Sequence, residues 1–242
     1  MNAPHVLGII PARGGSKSIP KKNIVPLAGK PLIAYTIIEA KKSRFLDACI
    51  VSTDSEEIAD VARMFGTDVP FLRPAELAED STPDLPVFLH ALQWLKENRG
   101  WAPDIVVNLR PTSPLRIAAD IDAVISLMQK TGCDSCRTVS QPDNNPFKMW
   151  NLDESDSSLT PLLPTKYFHT LGTDVPRQLL PQNVYWQNGM VDATRAKFIF
   201  EGKMYGPNIF GVITPPERAI DIDSPDDFIR AEIAIKKLAL GR

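Results

Sequence analysis

The sequence is poor in cysteine and histidine and contains no long hydrophobic run. Three of its 242 residues are cysteine and three are histidine, and no charged-then-apolar leader is present. No apolar stretch approaches the ~18 residues that suggest a transmembrane helix. Few cysteines without a secretory leader are typical of a protein kept in a reducing compartment. We therefore expect a soluble cytoplasmic protein that does not enter a membrane.

Neither sign of charge dominates the chain. It carries 27 lysine and arginine residues against 29 aspartate and glutamate residues. Nucleic-acid binding usually requires a basic face, so we expect no nucleic-acid partner. The apolar share of 43% is enough to fill a core. At this length we expect a single α/β domain over residues 1–242, without internal repeats.

The few histidines and cysteines form no recognisable catalytic or zinc pattern. His5, His90 and His169 share no local motif with a serine nucleophile, so a Ser-His-Asp mechanism has little support. Cys133 and Cys136 have C-x-x-C spacing, but no second pair or nearby histidine completes a zinc site. We expect these two thiols to be reduced and structural.

The sequence does contain a cationic glycine loop directly after an apolar strand pattern. Residues 9–23 are IIPARGGSKSIPKKN. Gly14 and Gly15 let backbone N–H groups turn towards an anion, and the neighbouring lysines and arginine supply positive charge. Neither the Walker pattern nor the dinucleotide fingerprint G-x-G-x-x-G occurs. The loop predicts a polyphosphate site of another kind.

Short apolar runs alternate with segments of helical period through the first half of the chain. Strands are predicted at 6–10, 48–51, 69–72 and 105–107, and helices at 32–40, 58–65, 84–97 and 121–128. This alternation is typical of a doubly wound, mostly parallel sheet with helices on both faces. Such sheets bind ligands at the carboxyl ends of their strands. The glycine loop, residues 52–54 and residues 110–112 should therefore converge on one crevice.

The alternation fails over residues 142–188, where prolines and large aromatic side chains are scattered. A long irregular stretch inside a compact domain is usually functional or part of an interface. A solvent-facing lid is the alternative, although it would expose many large apolar side chains.

Two aspartates alternate with isoleucines near the C-terminus. In an extended backbone Asp221 and Asp223 point to one face, and no basic residue directly adjoins the pair in the sequence. Two carboxylates suit Mg²⁺, which completes its shell with water and phosphate. Solvated acids near a strand end are the alternative.

A strand is predicted over 208–213, and Ser224 followed by Pro225 predicts a helix over 225–239.

These segments together resemble the acylneuraminate cytidylyltransferases, also called CMP-sialic acid synthetases. Ordered matches run from near residue 9 to near residue 230. They comprise the loop and its continuation to residue 33, then STDSEEIA at 52–59, FLRPAELA at 71–78, RPTSPLR at 110–116, PRQ at 176–178, NG at 188–189 and IDIDS at 220–224. The resemblance implies a fold of the nucleotide-diphospho-sugar transferase type. It also implies a homodimer in which residues 142–188 form an arm that contacts the second subunit.

The resemblance further implies that CTP and a nine-carbon 2-keto sugar acid are the substrates and Mg²⁺ the cofactor. The sugar's anomeric hydroxyl would attack the α-phosphorus and expel pyrophosphate. Phosphoryl transfer requires placement and charge neutralisation more than covalent help, so no protein nucleophile is needed. The alternatives are a nucleotidyltransferase for 3-deoxy-octulosonate or a sugar 1-phosphate, and a catalytically silent binding domain.

Roles for individual residues follow from the same resemblance. Catalysis is assigned to Arg13, Lys22 and Asp221, and metal binding to Asp221 and Asp223. Contacts with CTP are implied for Arg13, Gly14, Ser16, Lys17, Lys22, Asn23, Arg73 and Asp84. Contacts with the sugar acid are implied for Arg110, Thr112, Ser113, Arg177, Gln178 and Asn188. Asn23 would contact the ribose or shape the loop, and Arg177 would bind the sugar's carboxylate bidentately.

The sequence departs from the family pattern at one position that reaches the sugar. Arg110 stands where the best-known bacterial sialic acid enzymes have glutamine. Its guanidinium could pair with an additional anionic or polar group of the substrate, or it could form a structural ion pair with an acid of the pocket. This departure leaves related sugars such as legionaminic and pseudaminic acid open.

Overall fold

The computed structural model describes residues 4–163 and 176–240. Its strands are β1 (Val6–Pro11), β2 (Pro26–Leu27), β3 (Lys30–Pro31), β4 (Ala48–Ser52), β5 (Ile105–Asn108), β6 (Ser135–Ser140), β7 (Trp150–Leu152), β8 (Leu159–Pro161), β9 (Trp186–Arg195) and β10 (Ile209–Ile213). Its helices are α1 (Leu32–Lys42), α2 (Glu56–Met64), α3 (Asp84–Arg99), α4 (Ala118–Thr131), α5 (Ala196–Phe200) and α6 (Pro225–Leu240).

A six-stranded sheet organises the molecule in the order β10-β6-β9-β5-β1-β4. Strand β1 pairs in parallel with β4 and β5, and β10 pairs in parallel with β6. Strand β9 runs antiparallel to both of its neighbours, β5 and β6. The prediction of a mostly parallel sheet is confirmed, and the carboxyl ends of β4, β1 and β5 lie side by side.

Helices cover both faces of this sheet, as predicted. Alternate residues of β1 serve opposite faces, since Val6 and Ile10 pack into one core cluster while Leu7 and Ile9 pack into the other. The first cluster takes apolar side chains from α1, α2 and α4, and the second takes them from α3 and α5. A strand buried on both faces requires a continuous apolar run, which β1 has.

The strand predicted over 69–72 does not form. This segment lies beside β4, but it makes only two isolated bridges there, Ile50 with Asp68 and Thr53 with Leu72. Pro70 has no N–H group to donate to a ladder, which explains the interruption. The prediction was therefore wrong in element type, although Arg73 N–H still donates to the Thr53 carbonyl at 2.7 Å.

The last helix, α6, begins as predicted. The backbone N–H of Asp227 donates to Ser224 Oγ at 3.3 Å, so Ser224 caps the helix. The Asp227 carboxylate accepts from the Ser224 N–H at 3.0 Å, which completes a reciprocal cap. No helix among the described residues is long and apolar enough to cross a bilayer.

The segment predicted as an arm is irregular over most of its described length. It contains the short hairpin β7–β8 and two 3-10 turns, and β9 already begins at Trp186, two residues before the predicted end at 188. Residues 164–175 lie outside the described residues. Several large apolar side chains of the segment are exposed, among them Trp150, Leu152, Leu159 and Leu179.

Candidate active site

A cavity of about 420 Å³ lies at the carboxyl ends of β1 and β5, where the sequence predicted a crevice. Its wall brings together residues from both ends of the chain, from Pro11 to Asp223. The predicted site residues that line it are Arg13, Ser16, Lys17, Lys22, Asn23, Arg73, Asp84, Arg110, Thr112 and Asp223. The glycine loop and Asp223 therefore face one space, whereas Asp221 is not among the residues that line it.

Two cations of the glycine loop share a single carboxylate that the sequence analysis did not identify. Arg13 and Lys17 both form ion pairs with Asp80, which lies in the segment before α3. Hydrogen bonds from Lys17 and from Arg13 lower the pKa of the Asp80 carboxyl. No sequence pattern points to Asp80, because only the folded chain places it over the loop. Arg13 and Lys17, which were expected to bind phosphate, are thus paired with the carboxylate of Asp80.

Gly14 makes an internal contact that the sequence did not indicate. Its N–H donates to Asp54 Oδ1 at 2.8 Å, and a Cβ at this position would lie 3.1 Å from the Cβ of Ser55. The glycine therefore allows the loop to approach the segment after β4, while its N–H already has an anionic acceptor. Contact between this N–H and CTP stays a prediction.

Asn23 and Arg73 line the cavity and also join its wall to neighbouring segments. Asn23 is buried and donates from Nδ2 to the Arg13 carbonyl at 2.9 Å, a contact that shapes the loop. Arg73 is also buried, and it donates to Ser52 Oγ, to the Ser52 carbonyl and to the Leu77 carbonyl. Burial lowers the pKa of Arg73. Both side chains hold separate segments together at the edge of the site.

Lys22 connects the loop to the two late aspartates. Its Nζ donates to the Ile222 carbonyl at 2.7 Å and lies 3.3 Å from Asp223 Oδ1. The Ile222 N–H donates in turn to the Thr112 carbonyl at 2.9 Å. The expectation that the aspartate pair has no basic neighbour is therefore wrong in three dimensions, since Lys22 arrives from far along the chain.

The two aspartates differ in surroundings but fit a hard cation. Asp221 Oδ1 is buried and has no hydrogen-bond partner among the described residues. The Asp223 side chain is 78% exposed. A buried carboxylate oxygen without a donor is costly unless something else satisfies it. A divalent ion that keeps several waters needs only one or two carboxylates, and this pair provides them. No cluster of three or more His, Cys, Asp or Glu side chains suited to a metal occurs in residues 4–163 and 176–240.

Arg110 is engaged by two acids. Its Nη2 lies 2.5 Å from Asp84 Oδ2, and its Nη1 lies 3.5 Å from Asp192 Oδ2. Burial disfavours the charge of Arg110, but the attraction of Asp84 and Asp192 outweighs it and raises the pKa of the guanidinium. Of the two roles considered for Arg110, the structural ion pair is present, and its contact with the substrate stays a prediction. The Asp84 carboxylate is thereby paired with Arg110, and contact between Asp84 and the base stays a prediction.

Arg116, the last residue of the RPTSPLR segment, is fully buried beneath this site. It donates from Nε to the Met190 carbonyl at 2.9 Å, from Nη2 to the Arg110 carbonyl and from both Nη atoms to Thr36 Oγ1 at 3.3 Å. Burial lowers the pKa of Arg116 to about 10. This side chain joins α1, β9 and the segment after β5, and so sets the backbone position of Arg110.

The remaining sugar-side residues are only partly brought together. Asn188 is 1% exposed, and its side chain bonds Thr138, Ser140 and Thr214. It therefore does not line the cavity, and sugar binding by Asn188 stays a prediction. Ser113 Oγ is buried and has no partner in the described part of the chain. Gln178 is exposed in the 3-10 turn Arg177–Leu179, and the Arg177 side chain lies outside the described atoms.

Comparison with known proteins identifies the family. A family model described as cytidylyltransferase matches residues 7–156, more than half of the chain. The chain belongs to the cytidylyltransferase family. The resemblance inferred from the motifs is thereby confirmed.

Two curated relatives of this cytidylyltransferase extend the match beyond the family model. A CMP-N,N'-diacetyllegionaminic acid synthase from Legionella pneumophila is 34% identical over 230 residues, which are 94% of this chain and 95% of that protein. An N-acylneuraminate cytidylyltransferase from Escherichia coli is 31% identical over 231 residues, 95% of this chain and 51% of that protein.

A solved structure shows the same fold at much lower identity. A CMP:2-keto-3-deoxy-manno-octonic acid synthetase in complex with CTP superposes with a TM-score of 0.68 at 14% identity. The match covers 97% of this chain and 99% of that one. The likeness confirms the predicted fold class.

Proposed function

We propose that this protein transfers CMP from CTP to a nine-carbon 2-keto sugar acid and releases pyrophosphate. The observation that carries the proposal is the cavity that the cationic loop and Asp223 line together, with Lys22 joining the two. Family membership supports the nucleotide, and the relatives named for legionaminic and acylneuraminic acids support the acceptor class.

The loop cations neutralise the triphosphate in this proposal. Arg13 and Lys17 exchange the single carboxylate of Asp80 for phosphate oxygens, which carry more charge. Lys22, near the end of the loop, contacts Asp223 and the Ile222 carbonyl, and its ammonium would balance charge near the α-phosphorus. The protein supplies placement and electrostatic stabilisation, which is what phosphoryl transfer requires.

Asp221 and Asp223 would hold Mg²⁺. The buried, unpartnered oxygen of Asp221 supports a cation at this position. When bound, Mg²⁺ neutralises phosphate charge and lowers the pKa of a coordinated hydroxyl. Substitution Asp221→Asn should abolish the dependence of activity on added Mg²⁺, together with most of the activity. Asp226→Asn, at the start of α6, removes the same charge nearby and should leave the magnesium titration unchanged.

The acceptor side takes its residues from several segments. Thr112 lines the cavity beside Arg110, and Ser113 presents a buried hydroxyl without a partner among the described residues. Arg177 would bind the sugar's carboxylate. Arg177→Ala should then raise the KM for the sugar acid far more than the KM for CTP. Equal effects on both would contradict the assignment.

We further propose a cytoplasmic homodimer in which the arm contacts the second subunit. Exposed apolar side chains on the hairpin β7–β8 and on the edge strand β10 support a buried interface, because monomers rarely leave large apolar patches uncovered. The three described cysteines are unpaired, which suits a reducing compartment. Sedimentation equilibrium should give twice the chain mass, and Leu152→Asp should shift it to the monomer.

The decisive experiment measures pyrophosphate release from each NTP with Mg²⁺ and a panel of acceptors. Release with CTP and a nine-carbon keto acid, but not with 3-deoxy-octulosonate or sugar 1-phosphates, is the expected result. If pyrophosphate is released only with 3-deoxy-octulosonate or only with a sugar 1-phosphate, the protein is a nucleotidyltransferase for that acceptor instead. No release with any acceptor would support a silent binding domain.

A further inference from the structure

Asp192 is a buried carboxylate beside the cavity that no sequence motif indicated. It lies in β9, opposite Asn108 of β5 and Arg137 of β6. Its side chain is 7% exposed, and Gln187 Nε2 donates to both of its oxygens, at 3.0 and 3.1 Å. The carboxylate is therefore held in one orientation from behind.

Two arginines flank this carboxylate. Arg110 Nη1 lies 3.5 Å from Asp192 Oδ2, and Arg137 Nε lies 3.8 Å from Asp192 Oδ1. The Arg137 guanidinium is fixed in turn by the ring of Tyr205, 4.1 Å away. With Asp84 on the far side of Arg110, two acids and two arginines form a cluster of zero net charge.

Arg110 is thus attached at two points. Asp84 holds Nη2 at the cavity wall, and Asp192 attracts Nη1 from beneath it. A planar guanidinium with two anchored nitrogens has a defined plane as well as a defined position, whereas one contact would let it rotate. Its remaining N–H groups then point in fixed directions.

Gly189 lies between Arg110 Nη1 and Asp221, one of the two acids proposed to hold the metal. A Cβ built on Gly189 would lie 3.5 Å from Arg110 Nη1 and 3.7 Å from Asp221 Oδ2. Gly189 has a φ of +69°, which disfavours other residues. The space above Gly189 therefore separates the guanidinium from the Asp221 carboxylate. In the proposed reaction the acceptor hydroxyl reacts near Asp221, which would bring the acceptor into that space.

We propose that Asp192 is a positioning residue for the sugar acid, acting through Arg110. It fixes the plane of the Arg110 guanidinium so that the free N–H groups meet the acceptor above Gly189. This inference rests on the proposed function, because it concerns the acceptor of that reaction.

The test combines two substitutions in a double-mutant cycle. Asp192→Asn keeps the shape and one acceptor for Gln187 but removes the charge that anchors Arg110. We expect it to raise the KM for the sugar acid about tenfold and to change the KM for CTP less than about twofold. A tenfold effect lies within the range of coupling energies measured between residues of one ion-pair network. Combined with Arg110→Gln, it should add nothing to the effect of Arg110→Gln alone. Asp60→Asn, on the exposed face of α2, is the control and should change neither constant.

A second variant tests the inference if Asp192→Asn does not fold. Arg110→Lys keeps the positive charge but cannot reach both acids in one plane, so the same rise in the sugar KM is expected. An unchanged sugar KM in either variant, additive effects in the cycle, or equal shifts for CTP would overturn the inference. If the wild-type protein releases no pyrophosphate with any sugar acid, the proposed function fails and the inference with it. An active wild type with an unaffected Asp192→Asn variant removes only the inference.

Discussion

Lys22 Nζ lies 3.3 Å from Asp223 Oδ1, although the two residues are 201 positions apart in the chain. This contact joins the glycine loop to the late carboxylates and defines the cavity between them. The neighbouring Lys21 instead pairs with Glu57 at the surface, which provides a matched control on the same loop.

Lys22→Ala should reduce kcat/KM by about a hundredfold or more, because removing one preorganised charge from a transition-state site typically costs that much. Lys21→Ala should change it less than about threefold, since exposed pairs of this kind contribute little. Steady-state pyrophosphate release measures both. Similar losses in the two variants would mean that the loop needs only its overall charge.

Asp80→Asn should lower the KM for CTP. The Asp80 carboxylate competes with phosphate for Arg13 and Lys17, and the amide removes that competition without removing the side chain. We expect a decrease of about threefold, corresponding to a modest electrostatic contribution at a partly exposed site. Glu79→Gln removes an equal charge from the same cavity wall and should have a smaller effect. A higher KM in Asp80→Asn would show that Asp80 assists nucleotide binding.

Asn188→Ala should destabilise the fold rather than act on the sugar alone. The substitution leaves the hydroxyls of Thr138, Ser140 and Thr214 without a shared partner in the core. Lost buried hydrogen bonds of this kind should cost about 2 to 4 kcal/mol in the free energy of unfolding. Asn98→Ala, on the exposed face of α3, should cost no more than about 0.5 kcal/mol. Urea unfolding compares the two variants, and a stable Asn188→Ala variant with only a raised sugar KM would instead support the predicted sugar-binding role.

His90 should make the stability of the protein dependent on pH. Burial, followed by the positive charge of Arg73, lowers the pKa of His90, whose ring packs edge-on against Phe71 at 4.7 Å. The unfolded chain therefore takes up this proton more readily, so the contribution of His90 to stability falls as pH drops below about 6.5.

The substitution His90→Gln removes that titration. The loss of unfolding free energy between pH 7.5 and pH 5.5 should be smaller in the variant than in the wild type. Urea titrations at both pH values measure the difference. Parallel losses in the two proteins would exclude His90 as a source of the pH dependence.

Local sequence patterns were sufficient to predict those secondary-structure elements whose determinants lie within a few consecutive residues. The apolar run of β1 and the cap of α6 at Ser224 are such cases, because burial on both faces and reciprocal capping leave direct marks in the sequence. Strand β6 has no such pattern, because it buries the polar residues Ser135, Thr138 and Ser140. Hydroxyl and side-chain amide partners from β9 and from Thr214 satisfy them.

The residues of the candidate active site also fall into two groups, those predicted from local sequence and those that were not. Arg13, Lys17, Lys22 and the late aspartates were predicted because each belongs to a motif with its own chemical logic. Asp80, Asp192 and Arg116 were not, since their roles depend on partners distant in sequence. The family resemblance supplied roles for Asn188 and Gly14, but the folded chain commits Asn188's side chain and Gly14's N–H to internal contacts.

The sequence alone determined the doubly wound architecture, the cationic loop and the family, because each rests on short-range pattern or on ordered motifs. Only the tertiary structure decided which charged side chains form ion pairs. Asp80 pairs with the loop cations, Lys22 pairs with Asp223, and Arg110 pairs with Asp84 and Asp192. Electrostatic energies depend on distances of a few ångströms and on burial, and neither can be obtained from the order of residues along the chain.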